Sequence, residues 1–361
     1  MKIVHVETGR HLYGGAQQVL YLMRGLADRG LDGLLVCVPG SGIDQAARQA
    51  GLPVRNLPCG GDLDLRFAWR LRRLLVEEAV DLVHCHSRRG ADFLGGQAAA
   101  MAGVPAVVSR RVDNPETSMG AALRYRKFRK VIAISEAIGE VLQSAGVDAA
   151  HIEVIRSAVD TAAIDPAPDP TAFRHEFDIK EGDVVVAAAA QLIARKGHRY
   201  LLEAFAQLKP ARPELRLILF GEGPLHDELQ AMTRELGLDD CVRFAGFRDD
   251  LDAMLGNLDL LVHPALAEGL GVAVLKAAAA AVPVVAFAAG GVREAVSDGE
   301  TGLLVPPGDV QALQSAMATL IDDSEQRARL GVAGRKRMQS EFTIDVMVER
   351  HAMLYEALLR E

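Results

Sequence analysis

Short apolar runs alternate with stretches whose apolar residues recur every three or four positions, along almost the whole chain. The first pattern belongs to strands buried on both faces and the second to amphipathic helices. Their alternation predicts parallel sheets covered by helices, an α/β fold. In the first half the strand-like runs are 2–7, 33–38, 82–85, 106–109 and 131–134, and the helical stretches are 15–29, 65–78, 91–102 and 136–145. A second set of strands runs 184–190, 216–220, 242–245, 260–263 and 284–287. Residues 164–170 hold three prolines in seven. Proline fixes φ and lacks a donor, so this segment is expected to link two domains. At the tail, Ile344, Met347, Val348, His351, Leu354, Tyr355 and Leu358 fall at helical spacing, which predicts one amphipathic helix.

A length of 361 residues favours two domains, each with its own core. The boundaries expected are 1–160, 161–342 and a final helix, 343–361, packing back on the first domain. The amino-terminal residues read as a strand rather than a leader. The longest near-apolar run, 277–289, contains Pro283 and is too short to span a bilayer, so a cytoplasmic location is expected. Cys37, Cys59, Cys85 and Cys241 lack metal or redox spacing and read as buried or incidental thiols. Net charge is −8 but uneven: residues 1–160 carry 20 Lys+Arg against 17 Asp+Glu, and residues 161–361 carry 20 against 31. Five of the seven residues from Arg124 to Lys130 are cations. With Arg88, Arg89, Arg110 and Arg111 they form either a basic surface on the first domain or a solvated helix face. An acidic balance without a reading motif excludes nucleic acid as a partner.

The chemistry concentrates between His263 and Asp309. Glu268 stands beside a Gly269-Leu270-Gly271 turn that opens, at Val272, an Ala-rich helix. A buried strand follows, then a Gly290-Gly291 turn with Glu294 behind it, then a turn from Asp298 to Gly302. Glycine turns at the ends of apolar segments expose backbone N–H groups, and a helix N-terminus there attracts negative charge, as a diphosphate requires. The order and spacing resemble the donor-binding half of family-4 glycosyltransferases, the retaining sugar-nucleotide transferases of GT-B fold. That resemblance implies two Rossmann-like doubly wound domains facing a central cleft, with the last helix crossing back. It also implies a nucleoside-diphosphate sugar as donor, with no cofactor and no metal.

On the same resemblance, Glu268 contacts donor-sugar hydroxyls and stabilises developing positive charge. Lys196, in Arg195-Lys196-Gly197, clamps the diphosphate. Gly221-Glu222-Gly223-Pro224 forms a turn beside the nucleotide, and Gly14-Gly15 approaches the phosphates from the first domain. His86, at a strand end, is the active-site histidine near the sugar. Gly269, Leu270, Gly271, Val272 and Glu294 complete the donor contacts. Two positions depart from the pattern. The clamp arginine is Gln191, with Arg195 as a substitute, and the second glutamate, which holds the ribose, is Lys276. One cation has in effect moved: either Lys276 supplies the charge that Gln191 lacks, or Lys276 reaches solvent and Gln191 fills space.

Plainer readings stand beside these: helix capping for Glu268, close packing for the glycines, a satisfied core histidine for His84 and, less readily, for His86. Strand alternation puts both imidazoles on one face, but metal ligation needs a third ligand and none is evident nearby. Asp62 and Asp64 precede a helix and suit capping, while Asp250 and Asp252 sit in a polar loop, so neither triplet supports a metal. Residues 109–115 resemble a loop of envelope-polysaccharide transferases from Gram-negative bacteria. The acceptor implied is a glycolipid or other saccharide such as lipopolysaccharide core, met by Arg88, Arg110, Arg111, Arg126, Lys127 and Arg129 at the inner face of the cytoplasmic membrane. Two alternatives stand: a transferase for a small soluble acceptor, and a non-catalytic homologue that binds nucleotide-sugar or glycan.

Overall fold

The structure, a computed structural model, describes residues 1–87 and 90–360. It divides into two units, Met1–Ala158 with Ile344–Glu361, and Val159–Thr343.

Unit 1 is built on strands β1 (Lys2–Glu7), β2 (Asp32–Cys37), β3 (Val54–Asn56), β4 (Leu82–Cys85), β5 (Ala106–Arg110), β6 (Lys130–Ala133) and β7 (Ile152–Val154). They pair in parallel in the order β3-β2-β1-β4-β5-β6-β7. The helices are α1 (Gly14–Ala27), α2 (Gly42–Gln49), α3 (Leu65–Glu77), α4 (Ala91–Ala102), α5 (Ser118–Tyr125) and α6 (Glu136–Ser144). The triplet at 62–64 does cap: Asp64 Oδ1 accepts from Phe67 N at the start of α3, 3.2 Å.

Unit 2 begins with α7 (Thr171–Phe177), β8 (Val184–Ala189), α8 (His198–Leu208), β9 (Leu215–Phe220), α9 (His226–Glu235) and β10 (Val242–Gly246). It continues through α10 (Leu251–Met254), β11 (Leu260–His263), α11 (Val272–Ala279), β12 (Val284–Phe287), α12 (Val292–Ala295) and β13 (Gly302–Val305), and ends with α13 (Val310–Asp322) and α14 (Ser324–Glu341). Its sheet is parallel, in the order β10-β9-β8-β11-β12-β13. Both sheets therefore reverse winding direction once, at β1/β4 in unit 1 and at β8/β11 in unit 2. Side loops on the two strands at such a point diverge, leaving a crevice at their carboxyl ends where ligands settle.

The tail helix α15 (Ile344–Arg360) returns to unit 1, as expected. Met347, Val348, Tyr355 and Leu358 bury among Ile3, Leu22, Leu26 and Leu82. Each such burial contributes roughly 1.5–3 kcal/mol by transfer out of water. The helix comes in close at Gly25, where a Cβ would lie 2.5 Å from Val348 Cγ2.

Three strands lie outside the sequence expectations: β3, β7 and β13. All are sheet edges of three or four residues and only partly buried, so none carries a continuous apolar run. The proline-rich segment is a correction. It does not join the units, because the chain crosses between them at Ala158–Val159 and Thr343–Ile344. It packs inside unit 2 instead, over Gly256, whose Cβ would lie 2.6 Å from Asp165 O and 2.5 Å from Pro168 Cδ. Proline stiffness here orders a loop.

Candidate active site

In unit 2 the loops after β8, β9, β11 and β12 are held together by backbone contact. Gly197 has φ +70°, and a Cβ there would lie 1.9 Å from Pro264 O. The same two loops are joined by Leu266 N donating to Arg195 O, 2.8 Å. Gly291 N donates to Glu268 O at 3.1 Å, and a Cβ on Gly291 would lie 2.1 Å from Gly269 O. Gly221 and Gly223 lie against the carbonyls of Ala190 and Leu192 on the turn after β8. Residues far apart in sequence thus form one rigid frame at the switch point of this sheet.

Glu268 sits at its centre, 13% exposed. Its Oε2 accepts from both Lys196 Nζ and His263 Nε2, the latter at 2.9 Å, while Oε1 accepts from Gly269 N at 3.1 Å. Burial alone would raise this carboxyl. The His263 hydrogen bond, with the charges of His263 and Lys196, outweighs burial and holds it well below the usual carboxylate range. His198 is buried beside this group, with neither ring nitrogen hydrogen-bonded. Burial, then the neighbouring His263 and Lys196, lowers its pKa to about 4. Next to Glu268, α11 opens from Gly271 at φ +89° with no side-chain cap. Its first-turn N–H groups, at Val272 and beyond, are left for an anion. Leu270 is buried under that turn. Gln191 is exposed at the end of β8, and Arg195 turns a guanidinium nitrogen to Ala267 O at 3.5 Å. Glu294 lies partly buried on α12, its carbonyl accepting from Arg337 at 2.8 Å.

Lys276 has a partner that the sequence did not suggest. It pairs with Asp252, at 2.7 Å from Oδ1 and 2.9 Å from Oδ2. Asp252, expected in a loop, lies on α10.

In unit 1 the switch point holds histidines. His5 on β1 stands in register with His84 on β4, and the His84 and His86 rings are 3.7 Å apart, as strand alternation implied. His5 Nδ1 meets His86 Nε2 at 3.0 Å, and His84 meets Tyr355 Oη at 2.6 Å and Ser109 Oγ at 2.8 Å. Arg111 faces His86 Nδ1 at 3.5 Å. A guanidinium only donates, so His86 keeps its proton on Nε2 and gives it to His5 Nδ1. The His5 proton then sits on Nε2, which is buried and unpartnered. Burial is the main reason that His84 and His86 are pushed well below the usual histidine range, His5 to about 3 and His351 to about 4.

A third imidazole therefore does accompany His84 and His86, with ligand atoms of the three within 4.8 Å, contrary to the sequence expectation. Apart from His5 Nε2, which carries the His5 proton, their nitrogens already face one another, Tyr355, Ser109 and the half-buried cation Arg111, so the surroundings disfavour a dication. His86 itself is 2% exposed. Gly15, in the first turn of α1 next to Gly14, leaves room for Arg111, whose Cδ lies 3.2 Å from where a Cβ would stand.

The basic surface is redrawn. Arg110 is buried, its guanidinium bonded to Glu116 at 2.6 Å and to Asn114 O at 2.5 Å, and Arg111 belongs to the histidine cluster. Arg124 pairs with Asp92 at 2.5 Å. Arg126, Lys127 and Arg129 are exposed, and Arg88 lies outside the described residues.

Sequence reasoning passed over His198 and His5, gave His263 no role and set Asp252 aside as a loop residue. The signal for His263 was a histidine-proline step closing a buried strand five residues before Glu268. For His5 it was a polar residue inside an apolar first strand.

Residues 169–337 match the model of Glycosyl transferases group 1, and residues 13–163 match that of Glycosyltransferase Family 4. The lipopolysaccharide core biosynthesis glycosyltransferase LpsE of Rhizobium meliloti is 27% identical over 363 residues, covering 98% of this chain and 98% of its own. A 2-deoxystreptamine glucosyltransferase of Streptomyces kanamyceticus is 26% identical, covering 91% of this chain and 94% of its own. Among solved structures, Anabaena HepE in complex with UDP and glucose aligns with a TM-score of 0.88 at 23% identity, over 99% of this chain and 100% of its own.

Proposed function

The chain belongs to the family-4 glycosyltransferases of GT-B fold, and from that premise we propose a retaining, metal-independent transfer from a nucleoside-diphosphate sugar to a lipid-linked saccharide. The observation that carries the donor half is the convergence of Lys196, Glu268 and the uncapped start of α11. A leaving diphosphate needs positive charge. Lys196 and the first-turn N–H groups of α11 supply it without an ion. Glu268, kept ionised by His263 and Lys196, accepts from sugar hydroxyls and faces the positive charge that grows at the anomeric carbon. When the diphosphate draws Lys196 away, His263 still orients the carboxylate. The UDP-bound HepE structure fits such a donor.

The likeness to LpsE favours an envelope saccharide as acceptor, taken up by unit 1. The similar likeness to a 2-deoxystreptamine glucosyltransferase favours a second reading, a small soluble acceptor. Incubating the protein with a nucleotide-sugar panel and both acceptor kinds, with and without chelator, tests the proposal. Proton NMR of the product should show the anomeric configuration of the donor, with an unchanged rate in chelator. Inversion, or loss of activity restored by a divalent ion, would overturn it.

A further inference from the structure

Unit 1 carries apolar surface that its core does not use. The inner face of α3 buries Phe67, Ala68, Leu71, Leu74 and Leu75. On its other side Leu65, Trp69 and Val76 are 67%, 63% and 57% exposed, and Leu63, just before the helix, is 93% exposed. Positions 65, 69 and 76 recur at helical spacing, so α3 bears a second apolar stripe facing outward. The stripe is anchored rather than loose. Arg72 donates to Met101 O at 3.2 Å, and its guanidinium carbon lies 6.0 Å from the Trp69 ring centre.

The neighbouring helices continue this character. α5 exposes Met119 (83%) and Leu123 (47%). α3, α4 and α5 each connect parallel strands stepping the same way across the sheet, from β3 to β4, β4 to β5 and β5 to β6. Right-handed crossovers place all three on one face of that sheet, so their outer sides look in one direction. Cations are interleaved there: Arg66 and Arg73 on α3, and Arg126, Lys127 and Arg129 after α5 are all exposed. No described helix is long and apolar enough to cross a membrane. An outward apolar stripe with an aromatic ring and a cationic surround suits the boundary of an anionic bilayer, where the ring sits at headgroup depth and cations meet lipid phosphates.

We propose that the outer face of α3, extended by α5, docks unit 1 onto anionic membrane, with Leu63, Leu65, Trp69 and Val76 entering the headgroup boundary. This deepens the lipid-acceptor reading above and rests on it for its purpose: docking brings the protein to an acceptor held in the bilayer.

Trp69 is the only tryptophan of the chain, so its emission reports this surface in the unmodified protein. The full chain is titrated with vesicles of phosphatidylglycerol and phosphatidylcholine, and with phosphatidylcholine alone. Emission should shift to the blue on the anionic vesicles, with at least tenfold stronger partitioning than on neutral ones. Leu65→Glu, at an exposed site, should weaken that partitioning tenfold or more with an unchanged circular-dichroism spectrum, as should high salt. Unchanged Trp69 emission with vesicle-bound protein would place docking elsewhere and overturn the proposal. So would a lack of binding, or a concentration-dependent dimer in ultracentrifugation that Leu65→Glu dissolves. Nucleotide release from donor without vesicles should be equal in wild type and Leu65→Glu. Docking and transfer therefore fail separately if either is wrong.

Discussion

The ammonium of Lys276 lies between the two carboxylate oxygens of Asp252, at 2.7 and 2.9 Å, which ties α11 to α10. To lend charge to the diphosphate in place of Gln191, Lys276 would have to leave Asp252, as Lys196 would have to leave Glu268. Lys276→Glu would set two carboxylates against each other. Unfolding temperature is then expected to fall by a few degrees, since like charges at a partly exposed site cost about 1 kcal/mol. Asp252→Lys should restore it in the double variant. If Gln191→Arg restores donor affinity in the Lys276→Glu protein and Asp252→Lys does not, the cation had moved toward the donor after all.

Lys196→Ala should weaken binding of a nucleoside diphosphate by roughly 10- to 100-fold, the contribution of one charged contact. Calorimetry of both proteins with the same nucleotide checks this. Equal affinity removes Lys196 from the clamp and leaves it only as a partner of Glu268.

His263 reaches Glu268 from the end of β11, and its loss should act on turnover more than on binding. For His263→Ala, kcat should drop by roughly tenfold with donor KM little changed, because one charged hydrogen bond to the carboxylate is gone. His263→Gln, which can still donate, should recover part of it. A change in KM alone would make His263 a packing residue.

Acid should unsettle unit 1 early. His5, at about 3, and His351, at about 4, are neutral when folded, as are His84 and His86, whereas unfolded histidine titrates near 6.5. Below that value the unfolded chain binds more protons than the folded one. Stability is therefore full above about pH 6.5 and lost as pH falls toward 4, at about 1.4 kcal/mol per pH unit for each such histidine. Urea midpoints measured across that window should show the slope, and His351→Leu should make it shallower. A midpoint flat from pH 7 to 4.5 would contradict the burial of these rings.

Much of the fold was legible because central parallel strands such as β11 and β12 are buried on both faces and read as unbroken apolar runs. Edge strands such as β3 carry no such signature. That Glu268 and Lys196 stand beside glycine turns was legible in the sequence, and the structure brings the two side chains together. Their surroundings depend on contacts that spacing does not encode: Asp252 lies 24 residues from Lys276, and His5 lies 81 from His86. Charge misled at Arg110 and Arg111. Arginines in a basic run look exposed, yet Glu116 and the histidine cluster draw these two inward. The outer stripe of α3 has a different reason: apolar residues lie on both faces of that helix, so spacing alone does not separate the outward ones from the buried ones, and burial does.

The central claim is that Glu268 serves transfer at a donor site in unit 2. Its most direct test is release of free nucleoside diphosphate from a panel of nucleotide-sugars by wild type and Glu268→Gln, with nucleotide affinity measured in parallel. At least one sugar nucleotide should be turned over by wild type. Glu268→Gln should keep affinity within a few-fold while turnover falls about 100-fold or more, since the amide keeps shape and loses charge. Equal turnover by the two proteins would reduce Glu268 to a residue that shapes the start of α11, and tight binding without release by wild type would make the protein a binder rather than an enzyme.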